Sequence, residues 1–142
     1  MSKLVSLLMA NPDKPVKSNL RTAKLNRLYE ALRSIEQDAD PSIQAWDELS
    51  TAVKLTDTLV NCGPWQLGDL EVRVEDSQGL LKDAMLALSI AGIRRLEGKS
   101  LRMDGAGIQA VRATLADYAV CLENVSERSI LRAEILTRKR FQ

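Results

Sequence analysis

The residues with the most chemical promise lie in the run Asn61-Cys62-Gly63-Pro64-Trp65. Cys-Gly-Pro is the centre of a thiol–disulfide exchange motif, but here Trp65 stands where a resolving thiol belongs. Exchange needs a thiolate, a second thiol within reach and a helix N-terminus or cation to lower the thiol's pKa. Cys62 instead closes a helical pattern, where the macrodipole opposes a thiolate. Cys121, the other cysteine, falls inside a second helical pattern. Both read as buried, reduced, structural thiols. The chain has no histidine, which removes the commonest general base, the Cys-His and Ser-His nucleophile systems and the usual zinc and non-haem iron ligand sets.

Carboxylates are the remaining candidates. Asp47, Glu48, Asp57, Asp69, Glu71, Glu75, Asp76 and Asp83 face only Lys54, Arg73 and Lys82 between residues 47 and 83, leaving five net negative charges. Acid–base or metal chemistry needs several of these to converge. No EF-hand spacing and no Glu-x-x-His pair enforces that. A solvated acidic face is the plain reading. The functional one is a surface for a basic site on a partner protein, with Trp65, Asp69, Glu71, Glu75 and Asp76 as its contacts.

Basic residues are segregated elsewhere. Lys17, Arg21 and Lys24 recur at helical spacing, with Lys14 and Arg27 nearby. Arg128, Arg132, Arg138, Lys139 and Arg140 run along the last helical segment. If the two helices are neighbours they form one positive face for phosphate contact. No base-reading set accompanies them. "DGAGIQA" (104–110) has two glycines at a helix start but lacks the Lys-Ser/Thr of a P-loop, so it reads as a cap. Catalytic, cofactor and metal residues are therefore expected to be none.

The elements that must position these groups are helices. Leu25, Leu28, Leu32 and Ile35 mark one face of a first helix, with Ser18 as the expected N-cap. Pro41 is expected in the first turn of a second helix capped by Asp40, with Trp46, Leu49, Val53, Thr56 and Val60 as its stripe. Gly63 is expected to stop that helix in a left-handed conformation, with Pro64 forbidding its return. Trp65 then either folds back onto the Trp46 stripe, the favoured direction, or points outward as an anchor. "LEVRVED" alternates like a strand but lacks a partner, and is read as an extended connection or an early helical turn.

A third helix is expected over about Ser77–Leu96, with Leu81, Met85 and Leu88 on its face. Gly92 inside it signals a close helix crossing. Asp104 caps a fourth helix striped by Ile108, Val111, Leu115, Tyr118 and Leu122. After a break near Asn124–Ser126, Ile130, Ala133 and either Leu136 or Ile135 mark the last helix. The expectation is an all-α bundle of four to five antiparallel helices in a single domain. Residues 1–17 are assigned to an apolar segment and Pro-rich linker, and 18–142 to the bundle. An apolar stripe left over within the chain would pair with a second copy, and "LVSLLM" near the start is the segment expected to do so.

The totals agree with this. The 142 residues are 45% apolar and only 4% aromatic, with a formal charge of +1, ordinary for one soluble domain and too balanced for a global field. The opening apolar run is short and ends at Asn11-Pro12-Asp13-Lys14-Pro15. It is expected to be no secretory leader, and the protein to be cytoplasmic. No stretch is long enough to span a bilayer.

"AWDELSTAVKLTDTLVNCG" (45–63), with "ALSIAGIRRLEGKSLRMDGAGIQAVRATLADYAVCLENVSERSILRAE" after it, resembles a group of short all-helical proteins from phages, prophages and plasmids of Gram-negative bacteria. Trp46, Leu49, Leu59, Gly63, Arg95, Gly105, Tyr118 and Ala133 carry the shared outline, which spans about two-thirds of the chain. The resemblance implies a mobile-element accessory product, with no catalytic residue or cofactor to carry over. The resulting expectation is a non-enzymatic protein that engages a host or phage protein, for example to inhibit a defence or regulatory complex. The alternative is a DNA-binding or DNA-architectural regulator using the basic first and last helices.

Overall fold

The computed structural model describes residues 14–142. Among them, five helices form the expected all-α bundle: α1 (Ser18–Gln37), α2 (Ile43–Asn61), α3 (Leu81–Leu96), α4 (Gly105–Asn124) and α5 (Glu127–Arg140). One small hairpin, β1 (Trp65–Leu67) and β2 (Leu70–Val72), interrupts them. The "LVSLLM" segment lies outside the described residues.

The core forms where the apolar stripes meet. α4 is its axis, with Ile108, Val111, Leu115, Tyr118 and Leu122 all buried. Leu32 and Ile35 of α1, Leu49, Val53 and Leu59 of α2, and Ala84, Leu88 and Ala91 of α3 close around it. On α5 Ile130 and Ala133 are buried, and of the two alternatives Leu136 is the half-buried one while Ile135 is exposed. Each fully buried Leu, Ile or Val contributes about 1.5–3 kcal/mol relative to exposure. Gly92 marks the expected close crossing: a Cβ there would sit 2.8 Å from Trp46 Cζ2. Trp46 is held in place because its indole Nε1–H donates to the Leu88 carbonyl at 2.8 Å.

Several helix ends depart from the expectations. Ser18 does not cap α1; Lys17 holds that position without a side-chain cap. The entry is secured by tertiary contacts instead. Val16 is buried, Pro15 bridges Ser126, and the Glu127 N–H donates to the Lys14 carbonyl at 2.9 Å. Packing therefore begins before the 17/18 boundary. Ser42, not Asp40, caps α2, accepting from the Ala45 N–H at 3.1 Å, and Pro41 lies upstream of the helix. α3 starts at Leu81 rather than Ser77, because the Asp76 carboxylate takes the Leu80 and Leu81 N–H groups at 3.2 Å and holds the preceding turn. Asp104 caps α4 as expected, accepting from the Gly107 N–H at 2.7 Å. Ser126 does the same for α5 through the Ser129 N–H at 3.1 Å.

The connection after α2 is the largest correction. "LEVRVED" is not a lone strand. Trp65 pairs with Val72, Gln66 with Glu71 and Leu67 with Leu70, antiparallel. Gly68 takes a φ of 58° while Asp69 does not have a positive φ, so the two-residue turn has glycine at its first central position. The partner strand was concealed in "WQL", three residues too short to show a period.

Candidate interaction surfaces

Trp65 points inward. It is 2% exposed and its Nε1–H donates to the Leu59 carbonyl at 2.7 Å. It plugs the end of α2 and is not an anchor for a partner. Gly63 is needed for a reason other than a left-handed turn: its φ is not positive, and a Cβ would meet the Trp65 Nε1 at 3.0 Å. Cys62 caps the C-terminus of α2, as the helical pattern implied. Cys121 is buried, and burial, reinforced by Asp117, pushes its thiol up to about 12. A thiol so protonated is no nucleophile near neutral pH. Among the described residues no group of three or more Cys, Asp and Glu could hold a metal ion, and no helix is long and apolar enough to cross a membrane.

The predicted acidic contacts divide. Asp76 is consumed in capping α3. Asp69, Glu71 and Glu75 are exposed, on the hairpin and the extended arm that follows it. Strand alternation puts Leu70, Val72 and Val74 on one face, where with Val120 of α4 they line a groove of 590 Å³. Leu70 and Val120 are exposed apolar side chains. The arm is held against α4 by Asp117, which accepts from the Ser77 N–H at 3.1 Å and from its hydroxyl at 2.5 Å.

One edge of the hairpin is closed and the other open. Gln66 turns its main chain away from β2: its N–H donates to Ser129 Oγ at 3.0 Å and its carbonyl accepts from the Ser126 N–H at 2.8 Å. Gln66–Glu71 is thus a non-hydrogen-bonded pair, and Glu71 presents its own N–H and C=O on the far edge. Neither has a partner among the described residues.

The basic helices are neighbours at their starts, through the Pro15–Ser126 bridge, and further along through a Lys24–Glu134 ion pair at 3.8 Å. Between them lies a cleft of 350 Å³ lined by Lys24, Arg27, Asp47, Glu48, Glu134 and Arg138, with Tyr118 also contributing. Its charges are mixed rather than uniformly positive. Tyr118 is 4% exposed, and burial followed by the Glu134 charge raises its phenol pKa. Arg140 is a structural tie, pairing with Asp57 at 2.9 Å and donating to Thr58 Oγ1 at 2.8 Å. Arg21 donates to the Val16 carbonyl at 3.3 Å. Lys17, Arg128, Arg132, Arg138 and Lys139 are exposed, with no side-chain hydrogen bond or ion pair to another described residue.

Sequence reasoning missed a third surface. The outer face of α3 exposes Leu86, Ile90, Ile93 and Leu96. Their spacing of four, three and three residues was the available signal, overlooked because the opposite stripe already explained the helix. Compared with protein-family models, curated proteins and solved structures, the chain matches none.

Proposed function

We propose that this protein is a non-enzymatic binding module that takes an extended basic and apolar segment of a protein partner along β2. The open main chain of Glu71 carries this reading. An added strand gains backbone hydrogen bonds from such an edge, while alternate side chains supply specificity. Here one set of side chains would meet Leu70, Val72 and Val120, and the other the exposed charges of Asp69, Glu71, Arg73 and Glu75, three negative against one positive, of which Arg73 and Glu75 also border the groove. The mobile-element likeness supplies the setting: a cytoplasmic accessory product acting on a host or phage protein, such as a component of a defence or regulatory complex.

Selection of random displayed peptides on the protein tests the reading. Enriched sequences should alternate basic and apolar residues and lose binding to a Leu70→Lys, Glu71→Lys variant that retains its helical circular dichroism. Selected peptides indifferent to those substitutions would refute it.

A second reading rests on the adjacent starts of α1 and α5. Lys17, Arg128 and Arg132 are surface cations available to phosphate there. Under it, Arg128→Ala with Arg132→Ala flattens the salt dependence of DNA binding by about 0.9 in log–log slope for each phosphate no longer neutralised. No gel shift at low salt removes it.

A further inference from the structure

α3 is apolar on two opposite sides. Leu81, Ala84, Leu88 and Ala91 are buried in the bundle. At about 100° per residue, Leu86, Ile90, Ile93 and Leu96 fall on the opposite side within an arc of about 120°. They are 60%, 49%, 57% and 89% exposed. Four large aliphatic side chains in one contiguous stripe are more than the scattered apolar exposure normal for a monomer surface. None of them lines the hairpin groove, so this surface is separate from the one proposed for a partner segment.

Two charges on the same stripe identify the occupant. Lys82 lies at its N-terminal end and Glu97 just past its C-terminal end, both exposed. Two copies of α3 laid antiparallel place each Lys82 over the other copy's Glu97. The same register sets Leu86 against Ile93 and puts Ser89, which is exposed, next to its own copy at the centre. A parallel pair would instead stack Lys82 on Lys82 and Glu97 on Glu97. The stripe is thus self-complementary under a two-fold rotation, the requirement for an isologous interface. Within its own chain Glu97 has only Lys99 for an ion pair among the described residues, at 3.5 Å and solvent-exposed on both sides, and such a pair is readily exchanged. We infer that the protein forms a symmetric homodimer through an antiparallel pairing of α3, with Leu86, Ile90, Ile93 and Leu96 as its apolar seam and Lys82–Glu97 as its two end pairs.

Sedimentation equilibrium of the full chain tests this. The wild type should be a dimer at roughly 100 µM, a modest demand for a small interface, and Ile90→Glu with Ile93→Glu should be a monomer with unchanged circular dichroism. Lys82→Glu or Glu97→Lys alone should weaken the dimer about tenfold, since each reversal acts twice in a symmetric pair. The double charge swap should restore it. In a Cys62→Ser background, Ser89→Cys should form a disulfide with its own copy under mild oxidation. A monomeric wild type, or a dimer that survives Ile90→Glu with Ile93→Glu, overturns the inference. Charge reversals that fail to rescue each other overturn the antiparallel register.

Discussion

α3 and α4 are both apolar helices with a glycine close to a neighbouring helix, yet one is an axis and the other a wall. α4 buries Leu115 and Leu122 completely and is contacted by α1, α2 and α3. α3 buries two alanines, Ala84 and Ala91, beside Leu81 and Leu88 on its inner side, and turns four large aliphatics outward. Apolar content therefore does not state which helix is central. What separates the two is the number of sides on which other helices pack. On α3 the small inner residues let α4 and Trp46 approach closely, and the large outer ones stay exposed among the described residues.

The comparison can be broken at its strongest point first. Leu122→Ala should cost about 2–5 kcal/mol, as for a fully enclosed leucine, whereas Ile93→Lys should change monomer stability by less than about 0.5 kcal/mol. Urea melts at dilute protein concentration measure both. Equal losses would mean that α3 is as enclosed as α4.

Cys121 on α4 provides the next test. Its pKa is raised on folding from 9.0 to about 12 by burial and Asp117, so the unfolded chain releases this proton first. The stabilisation is complete below about pH 9 and is lost as pH rises toward 12. At pH 10.5 the loss should be about 2 kcal/mol relative to pH 8. Tyr118, raised in the same direction, adds to it. The Cys121→Ala variant should show a shallower alkaline decline, and its native parent should leave one thiol unreactive toward a thiol reagent at pH 8.

Gly92 sharpens the α3 side. Gly92→Ala adds helix propensity but forces a Cβ against Trp46, which its hydrogen bond to Leu88 holds in place. The expected result is a loss of about 1–3 kcal/mol, with a shift in tryptophan emission. At the α4 cap, Asp104→Ala should cost about 1 kcal/mol in the same urea melts. The smallest effect is at the start of α4, where nothing lies within 4 Å of a Cβ added at Gly105. Gly105→Ala should be neutral or stabilise by a few tenths of a kcal/mol.

Much of the bundle was legible because its signals are local. The stripe from Ile108 to Leu122 repeats over four turns, Asp104 precedes it by the spacing a cap requires, and Gly92 interrupts a helix for want of room. The hairpin was illegible because a three-residue strand has no period and its pairing is a contact between segments. Trp65 was ambiguous for a related reason. Its direction depends on whether the Leu59 carbonyl at the end of α2 is available to its indole, and no spacing encodes that. Of the proposed contacts, Asp76 and Arg140 carry the right charge but are taken up by the Leu80 and Leu81 amides and by Asp57.

By itself the sequence determined the helical stripes, the cap at Asp104, the break near Asn124–Ser126 and the absence of histidine chemistry. These follow from 3.6-residue periodicity, from residue-specific backbone preferences and from composition, all of which act within a few residues. Tertiary structure alone decided that Trp65 faces inward and that, among the described residues, Glu71 offers an open edge and α3 keeps a second apolar side exposed. Each depends on which segment packs beside which, and burial and hydrogen-bond satisfaction are properties of that arrangement.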